Sequence, residues 1–208
     1  MALRKRRAAL TSGLAALCAV AGLGLAAAPA HADPPSTICN PDGNRTWEDV
    51  VSARTEPVVT EFAAVNVTPG TTGQYNTTLA ETAVVNTAVN GSTEMGAEYQ
   101  ALFANVGAKV GFAVADTKSS TRIPPLTEPV NFSLPGYYGR YRGFQKVTGE
   151  WARYICARTG PGTGIWIKST SDGGTFTTFG NSEKGTVSCA SPEPAGTLRA
   201  AARLKLSC

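Results

Sequence analysis

Tyr75-Asn76-Thr77-Thr78-Leu79-Ala80-Glu81-Thr82-Ala83-Val84-Val85-Asn86-Thr87-Ala88-Val89-Asn90-Gly91-Ser92, followed after nine residues by Leu102-Phe103-Ala104-Asn105-Val106-Gly107-Ala108-Lys109-Val110-Gly111-Phe112-Ala113-Val114, is the stretch on which the fold turns. Asn90-Gly91 suits the positive φ angles of a type I′ hairpin turn. After it the even positions Leu102, Ala104, Val106, Ala108, Val110, Phe112 and Val114 are all apolar, with Asn105, Gly107, Lys109 and Gly111 among the odd ones. Before it the odd positions carry Tyr75, Leu79, Ala83, Val85 and Val89. Period two on both sides of a turn predicts a long hairpin, with Val89 facing Ser92, Leu79 facing Leu102 and Tyr75 facing Val106. That register puts both apolar sets on one side, and a slip of one residue would separate them. The competing reading is a helix, because Met95, Tyr99, Leu102 and Val106 also recur near helical spacing. Gly96, Gly107 and the sustained alternation favour the strand.

Outward from this stretch the composition stays β-like. From Pro57 onward Thr, Val, Gly, Asn and aromatic residues dominate. Tyr137 to Val147, Trp151 to Ala157, Gly164 to Ser169 and Thr175 to Phe179 read as strands. Ser171-Asp172-Gly173-Gly174 reads as a turn between the last two, with calcium at Asp172 the less favoured alternative. Asn131 to Gly136 ends a short strand in a turn, and Leu198 to Leu206 suits either a strand or a short helix. The expected class is all-β: an elongated antiparallel sheet or sandwich with a long hairpin turning at Asn90-Gly91, linked by disulfides.

The amino terminus reads as an export signal. Arg4, Lys5, Arg6 and Arg7 precede an Ala/Leu-rich run and then Ala30-His31-Ala32, the three parts of a secretory signal peptide over residues 1–32. Residues 33–56, rich in Pro, Asn, Thr and charge, are expected to form an extended arm, and 57–208 the β-rich domain. Four of the 19 Lys and Arg lie in residues 1–32 and none of the 15 Asp and Glu, leaving 15 basic against 15 acidic residues after cleavage. A neutral chain argues against polyanion binding. The aromatic and basic run Tyr137 to Val147 therefore reads as the two faces of a strand rather than a nucleic-acid platform.

Cysteine use agrees with export. Cys39, Cys156, Cys189 and Cys208 remain, an even number, and two disulfides are expected. Four cysteines allow three connectivities, of which Cys156–Cys189 with Cys39–Cys208 is favoured, because Cys156 and Cys189 both lie in strand-like stretches. Zinc is disfavoured by the spacing.

Catalytic chemistry finds little purchase. The one histidine, His31, leaves with the signal, so no imidazole base remains for a serine or cysteine nucleophile. Glu94, Glu98, Asp116, Glu128 and Glu150 could supply a carboxylate pair, but nothing singles out two of them. Gly160-Pro161-Gly162-Thr163-Gly164 lacks the lysine of a phosphate loop and reads as a tight turn. No enzyme activity, cofactor or metal is expected. Two roles remain: an adaptor joined to other secreted proteins through strand edges or the arm, with Trp47, Val58, Val59 and Phe62 as candidate contacts, and a β-pore-former, which alone would involve a membrane.

Asn66-Val67-Thr68-Pro69-Gly70-Thr71-Thr72, the Thr/Val/Asn-rich strand after it, Ala104 to Asp116, and the Cys156 and Cys189 strands resemble the small secreted β-proteins of Streptomyces and its relatives. Some of these are similar to the adaptor component of umbrella toxin particles, in which a lectin-bearing subunit is joined to a large toxin subunit. The resemblance covers most of residues 57–190 as a pattern of composition and layout, and it implies assembly with partner proteins outside a bacterial cell. The Thr-rich hairpin also resembles aerolysin-like toxins. N-terminal sequencing of the exported protein is expected to begin at Asp33.

Overall fold

A computed structural model describes residues 37–43, 45–94, 96–116, 118–124 and 127–208. The expected signal peptide, residues 1–32, lies outside them. Three long antiparallel strands form the body: β2 (Thr46–Val67), β7 (Gly136–Gly160) and β8 (Thr163–Ser188). They lie side by side in that order, with β1 (Ile38–Cys39) outside β8 and β4 (Ala80–Glu81) outside β2. β5 (Ala88–Val89) pairs with β8 farther along its outer edge. β3 (Gly73–Thr78) and β6 (Thr127–Phe132) make a separate two-stranded ribbon. Two helices complete the chain, α1 (Gln100–Val110) and α2 (Leu198–Leu204).

The all-β class holds, with antiparallel pairing and two disulfides. The strands are longer than their local signals indicate, because segments read as separate run together. Tyr137–Val147 and Trp151–Ala157 fuse into β7. Gly164–Ser169 and Thr175–Phe179 fuse into β8, where Ser169–Asp172 is a bulge opposite Arg153 rather than a turn. Part of the expected arm is also strand: Thr46–Glu56 pairs residue by residue with Ile155–Lys146 as the first half of β2. The tight turn at Pro161-Gly162 joins β7 to β8, with Gly162 at φ +66°.

The long hairpin does not form. Its turn does: Asn90 and Gly91 have φ +52° and +78°, and Val89 pairs with Ser92. Beyond Ser92 the ladder stops. Residues 100–110 are helical, and Leu102, Phe103 and Val106 are at most 1% exposed, packed with Val50, Val147, Trp151 and Phe176. Phe103 accounts for the outcome. A strand would turn this ring away from Leu102, whereas a helix places Leu102, Phe103 and Val106 on one buried stripe. Gly111, at φ +80°, ends the helix with its N–H on the Gly107 carbonyl. The expected partners separate accordingly: Tyr75 pairs with Val130 in the β3–β6 ribbon instead of Val106.

The disulfides are Cys39–Cys156 and Cys189–Cys208, which corrects the favoured connectivity. Antiparallel register explains why. Cys156 faces Trp166 near one end of the β7–β8 hairpin, and Cys189 follows Ser188, which faces Tyr138 at the other end. That separation along β7 is roughly 60 Å at about 3.3 Å per residue. One bridge therefore staples each end: β1 at the tip, α2 at the base. At the base Leu198, Ala202 and Leu206 cover Val59, Tyr141 and Val187, and Gly143 leaves the slot for Leu198, whose Cδ2 would lie 2.5 Å from an added Cβ.

Stretches of both sheet edges are covered by side chains and short segments. On β2, the carbonyls of Glu48, Val50 and Val51 accept hydrogen bonds from α1, from Asn105 Nδ2 at 2.9 Å and from Lys109 Nζ. Farther along, Pro57 offers no N–H, and the Thr60 carbonyl accepts from the N–H groups of Thr82 and Ala83. On β8, the Asn90 side chain acts as a miniature strand: Nδ2 donates to the Gly173 carbonyl at 3.1 Å and Oδ1 accepts from the Thr175 N–H at 2.9 Å. Gly174 makes room for it, because an added Cβ would lie 2.0 Å from Asn90 Oδ1. Asn90→Ala is expected to lower the urea-unfolding free energy by about 2–3 kcal/mol, two hydrogen bonds plus the left-handed φ. Asn90→Gly is expected to cost about half as much, since it removes the bonds and keeps the conformation.

Candidate docking surface

The surface feature that stands out is apolar and lies at the tip of the sheet. Ile38 faces Ile165 across β1 and β8, and Ile155 faces Ile167 across β7 and β8. Residues 165 and 167 are two apart on one strand, so all four isoleucines project from the same face. Each is exposed: Ile38 by 64%, Ile155 by 39%, Ile165 by 45% and Ile167 by 48%. Scattered apolar residues on a surface are ordinary, but four adjacent β-branched side chains on three neighbouring strands form a patch.

The same face becomes core farther along. β7 carries Trp151, Arg153 and Ile155 at alternate positions, and β2 carries Val50, Glu48 and Thr46 opposite them. Val50 and Trp151 are buried beneath α1. Arg153 and Glu48, joined at 2.8 Å, mark the boundary, and Ile155 lies beyond it in solvent. α1 thus covers one stretch of this face, the Arg153–Glu48 pair ends it, and the isoleucines beyond stay exposed.

The opposite face keeps the tip stiff. Cys39–Cys156 bridges β1 to β7 over Gly164, where an added Cβ would lie 2.8 Å from Cys156 Sγ. Trp47 and Tyr154, paired across β2 and β7, stack at 5.4 Å between ring centroids. Arg158 and Asp42 form an ion pair nearby. The isoleucines therefore stand on a covalently braced end, which reduces the ordering cost of contact with another molecule.

The contacts anticipated from sequence lie elsewhere. Val59 is 3% exposed in the core under α2, Phe62 packs against the same cluster, Val58 packs with Phe144 and Phe179, and Trp47 is occupied with Tyr154. They form no common surface. Glu128 is tied to Lys184 at 2.8 Å, and Asp172 accepts from Ser169 Oγ at 2.9 Å. Among the described residues no group of three or more His, Cys, Asp or Glu could hold a metal ion. Sequence reading missed the isoleucines because Gly164-Ile165-Trp166-Ile167 announces a strand without saying which face stays open. The pairing of Ile38 with Ile165, distant in sequence, carries no local signal.

Away from the tip several surface charges are paired. Glu128 sits below its usual range chiefly through the hydrogen bond from Lys184. Glu193 does so through the two bonds from Arg199, each 2.7 Å. Buried Tyr141 donates its phenol proton to Glu183, and burial first, then that carboxylate, push its pKa well above the usual value. No protein family, curated protein or solved structure matches the chain.

Because both glutamates are held below their ordinary value of 4.5, the unfolded chain binds their protons first as pH falls. The stability they contribute is present above that value and is lost below it, down through the folded values. The melting temperature is expected to drop on that acid limb. Lys184→Met with Arg199→Met should flatten the drop, as followed by circular dichroism.

Proposed function

We propose that the protein is a secreted, non-enzymatic adaptor or structural subunit of an extracellular bacterial protein assembly of the toxin-particle kind, and that it grips its partner with the isoleucine tip. The carrying observation is the exposed row Ile38, Ile165, Ile167 and Ile155 on a disulfide-braced end. Two further observations support it. Asn90, Asn105, Lys109, β4 and β5 occupy stretches of both sheet edges, which favours a face over an edge for partner binding. The disulfides suit an oxidising, extracellular compartment. In this reading the partner presents a complementary apolar surface, and neither nucleic acid nor a cofactor takes part.

A pore-forming role has one observation in its favour. Residues 104–112 keep period-two alternation although residues 100–110 are helical, so the segment carries a transmembrane-strand pattern in reserve. No helix among the described residues is long and apolar enough to cross a membrane, which leaves strands as the spanning element in that reading.

The experiment compares wild type with Ile165→Lys/Ile167→Lys. Both side chains are already in water, so unfolding free energy should move by no more than about 0.5 kcal/mol per substitution. Partners co-purified by a tagged copy from the native culture medium should be lost in the variant, with no dye released from liposomes by either protein. Equal recovery of partners by the variant would refute the tip as the docking surface. Dye release with ring-shaped oligomers would install the pore-former, and turnover of a substrate abolished by one side-chain replacement would overturn the non-enzymatic reading.

A further inference from the structure

Asn90 is the one asparagine in the chain that is followed by glycine. That neighbour is the least hindered an asparagine can have, because glycine carries no Cβ to shield its backbone nitrogen from the side-chain amide carbon. The pair is set up for deamidation. In that reaction the Gly91 nitrogen bonds to Asn90 Cγ, the Cγ–Nδ2 bond breaks, and the nitrogen's proton leaves with the ammonia. Water then opens the five-membered imide to aspartate or isoaspartate. Water is the only co-reactant, nothing is oxidised or reduced, and both residues are exposed to it.

The fold holds the pair short of reaction. Asn90 Nδ2 donates to the Gly173 carbonyl at 3.1 Å, Oδ1 accepts from the Thr175 N–H at 2.9 Å, and the Asn90 N–H donates to the Thr175 carbonyl at 2.8 Å. Both atoms of the side-chain amide are thus engaged on β8. Closing the imide ring requires Cγ to swing back over the Gly91 nitrogen, which breaks both side-chain bonds.

The product has no way back to the docked state. In aspartate an oxygen replaces Nδ2 and meets the Gly173 carbonyl, acceptor against acceptor. That repulsion undocks the side chain, and the Thr175 N–H loses its acceptor with it. In isoaspartate the main chain runs through the former side chain, so it is one methylene longer and the remaining carboxylate is too short to reach β8. Either way the outer edge of β8 between β1 and β5 loses its cover, and an uncovered stretch of edge is a template for another strand.

We propose that Asn90-Gly91 is a deamidation site latched by β8: the docked amide is protected, and once it undocks and reacts, the edge at residues 173–175 stays open. The site is independent of the isoleucine tip, and its chemistry does not rest on the adaptor reading.

Peptide mapping by mass spectrometry tests it, on the exported protein incubated in mildly alkaline buffer, folded and in urea. Conversion at Asn90 is expected in both, roughly thirtyfold slower in the folded protein, the protection that two net hydrogen bonds provide. Gly174→Ala should remove most of that protection, because the added Cβ would lie 2.0 Å from Asn90 Oδ1 and evict the side chain. In the converted protein, and in Asn90→Asp, hydrogen exchange at the Thr175 N–H should quicken by roughly the same factor. Absence of conversion at Asn90, equal rates folded and in urea, or unchanged exchange at Thr175 after conversion overturns the proposal. So does undiminished protection in folded Gly174→Ala. Should Gly174→Ala fail to fold, wild type in sub-denaturing urea decides: conversion should rise before circular dichroism reports unfolding, and a rise only with unfolding would overturn the latch.

Discussion

Strands of 22, 25 and 26 residues laid side by side present two long outer rows of backbone N–H and C=O groups, and the rest of this fold is arranged around keeping those rows from pairing with another chain. An unprotected edge of that length is a template for aggregation. The segment between β2 and β7 supplies most of the protection. α1 reaches the β2 edge with Asn105 and Lys109, one helical turn apart, and Asn90 docks its amide on β8. Where neither arrives, Pro57 and the Ser169–Asp172 bulge interrupt the ladder.

Packing and edge protection are done by the same elements. α1 buries Leu102, Phe103 and Val106 on Trp151 and Phe176 while its polar side chains satisfy β2 carbonyls. Its conformation is thus decided by two requirements at once, and a strand at 100–110 would meet neither. The β3–β6 ribbon is held to the sheet by the buried cluster of Phe132 with Val65 and Val67, against which Tyr75, Val130 and Tyr138 pack, and by Arg140 Nη1 donating to the carbonyls of Thr77 and Glu128 at 3.1 and 2.6 Å. One end of the sheet is covered by α2 and its disulfide. The other is braced by Cys39–Cys156 on one face and leaves four isoleucines exposed on the opposite one.

The two ends of the sheet differ in the same terms: the isoleucines at the tip are exposed on the face opposite the Cys39–Cys156 bridge, while the base is buried under α2.

The amino-acid sequence alone determined what depends on neighbours in the chain. The all-β class follows from Thr/Val/aromatic composition, the turns from Asn90-Gly91 and Pro161-Gly162, and an even set of cysteines from their number, because each is a property of a few consecutive residues or of totals. Tertiary structure decided whatever depends on residues meeting across the sheet. Leu102 to Val110 alternates like a strand and is nevertheless a helix, since Phe103 gains its burial only from Trp151 and Phe176. Cys39 reaches Cys156, and Cys189 reaches Cys208, because antiparallel strands of this length carry the ends of one hairpin far apart. Val59 is buried and Trp47, Val58 and Phe62 are half-buried against their neighbours, while Ile155, Ile165 and Ile167 are left exposed because α1 is shorter than the face it covers.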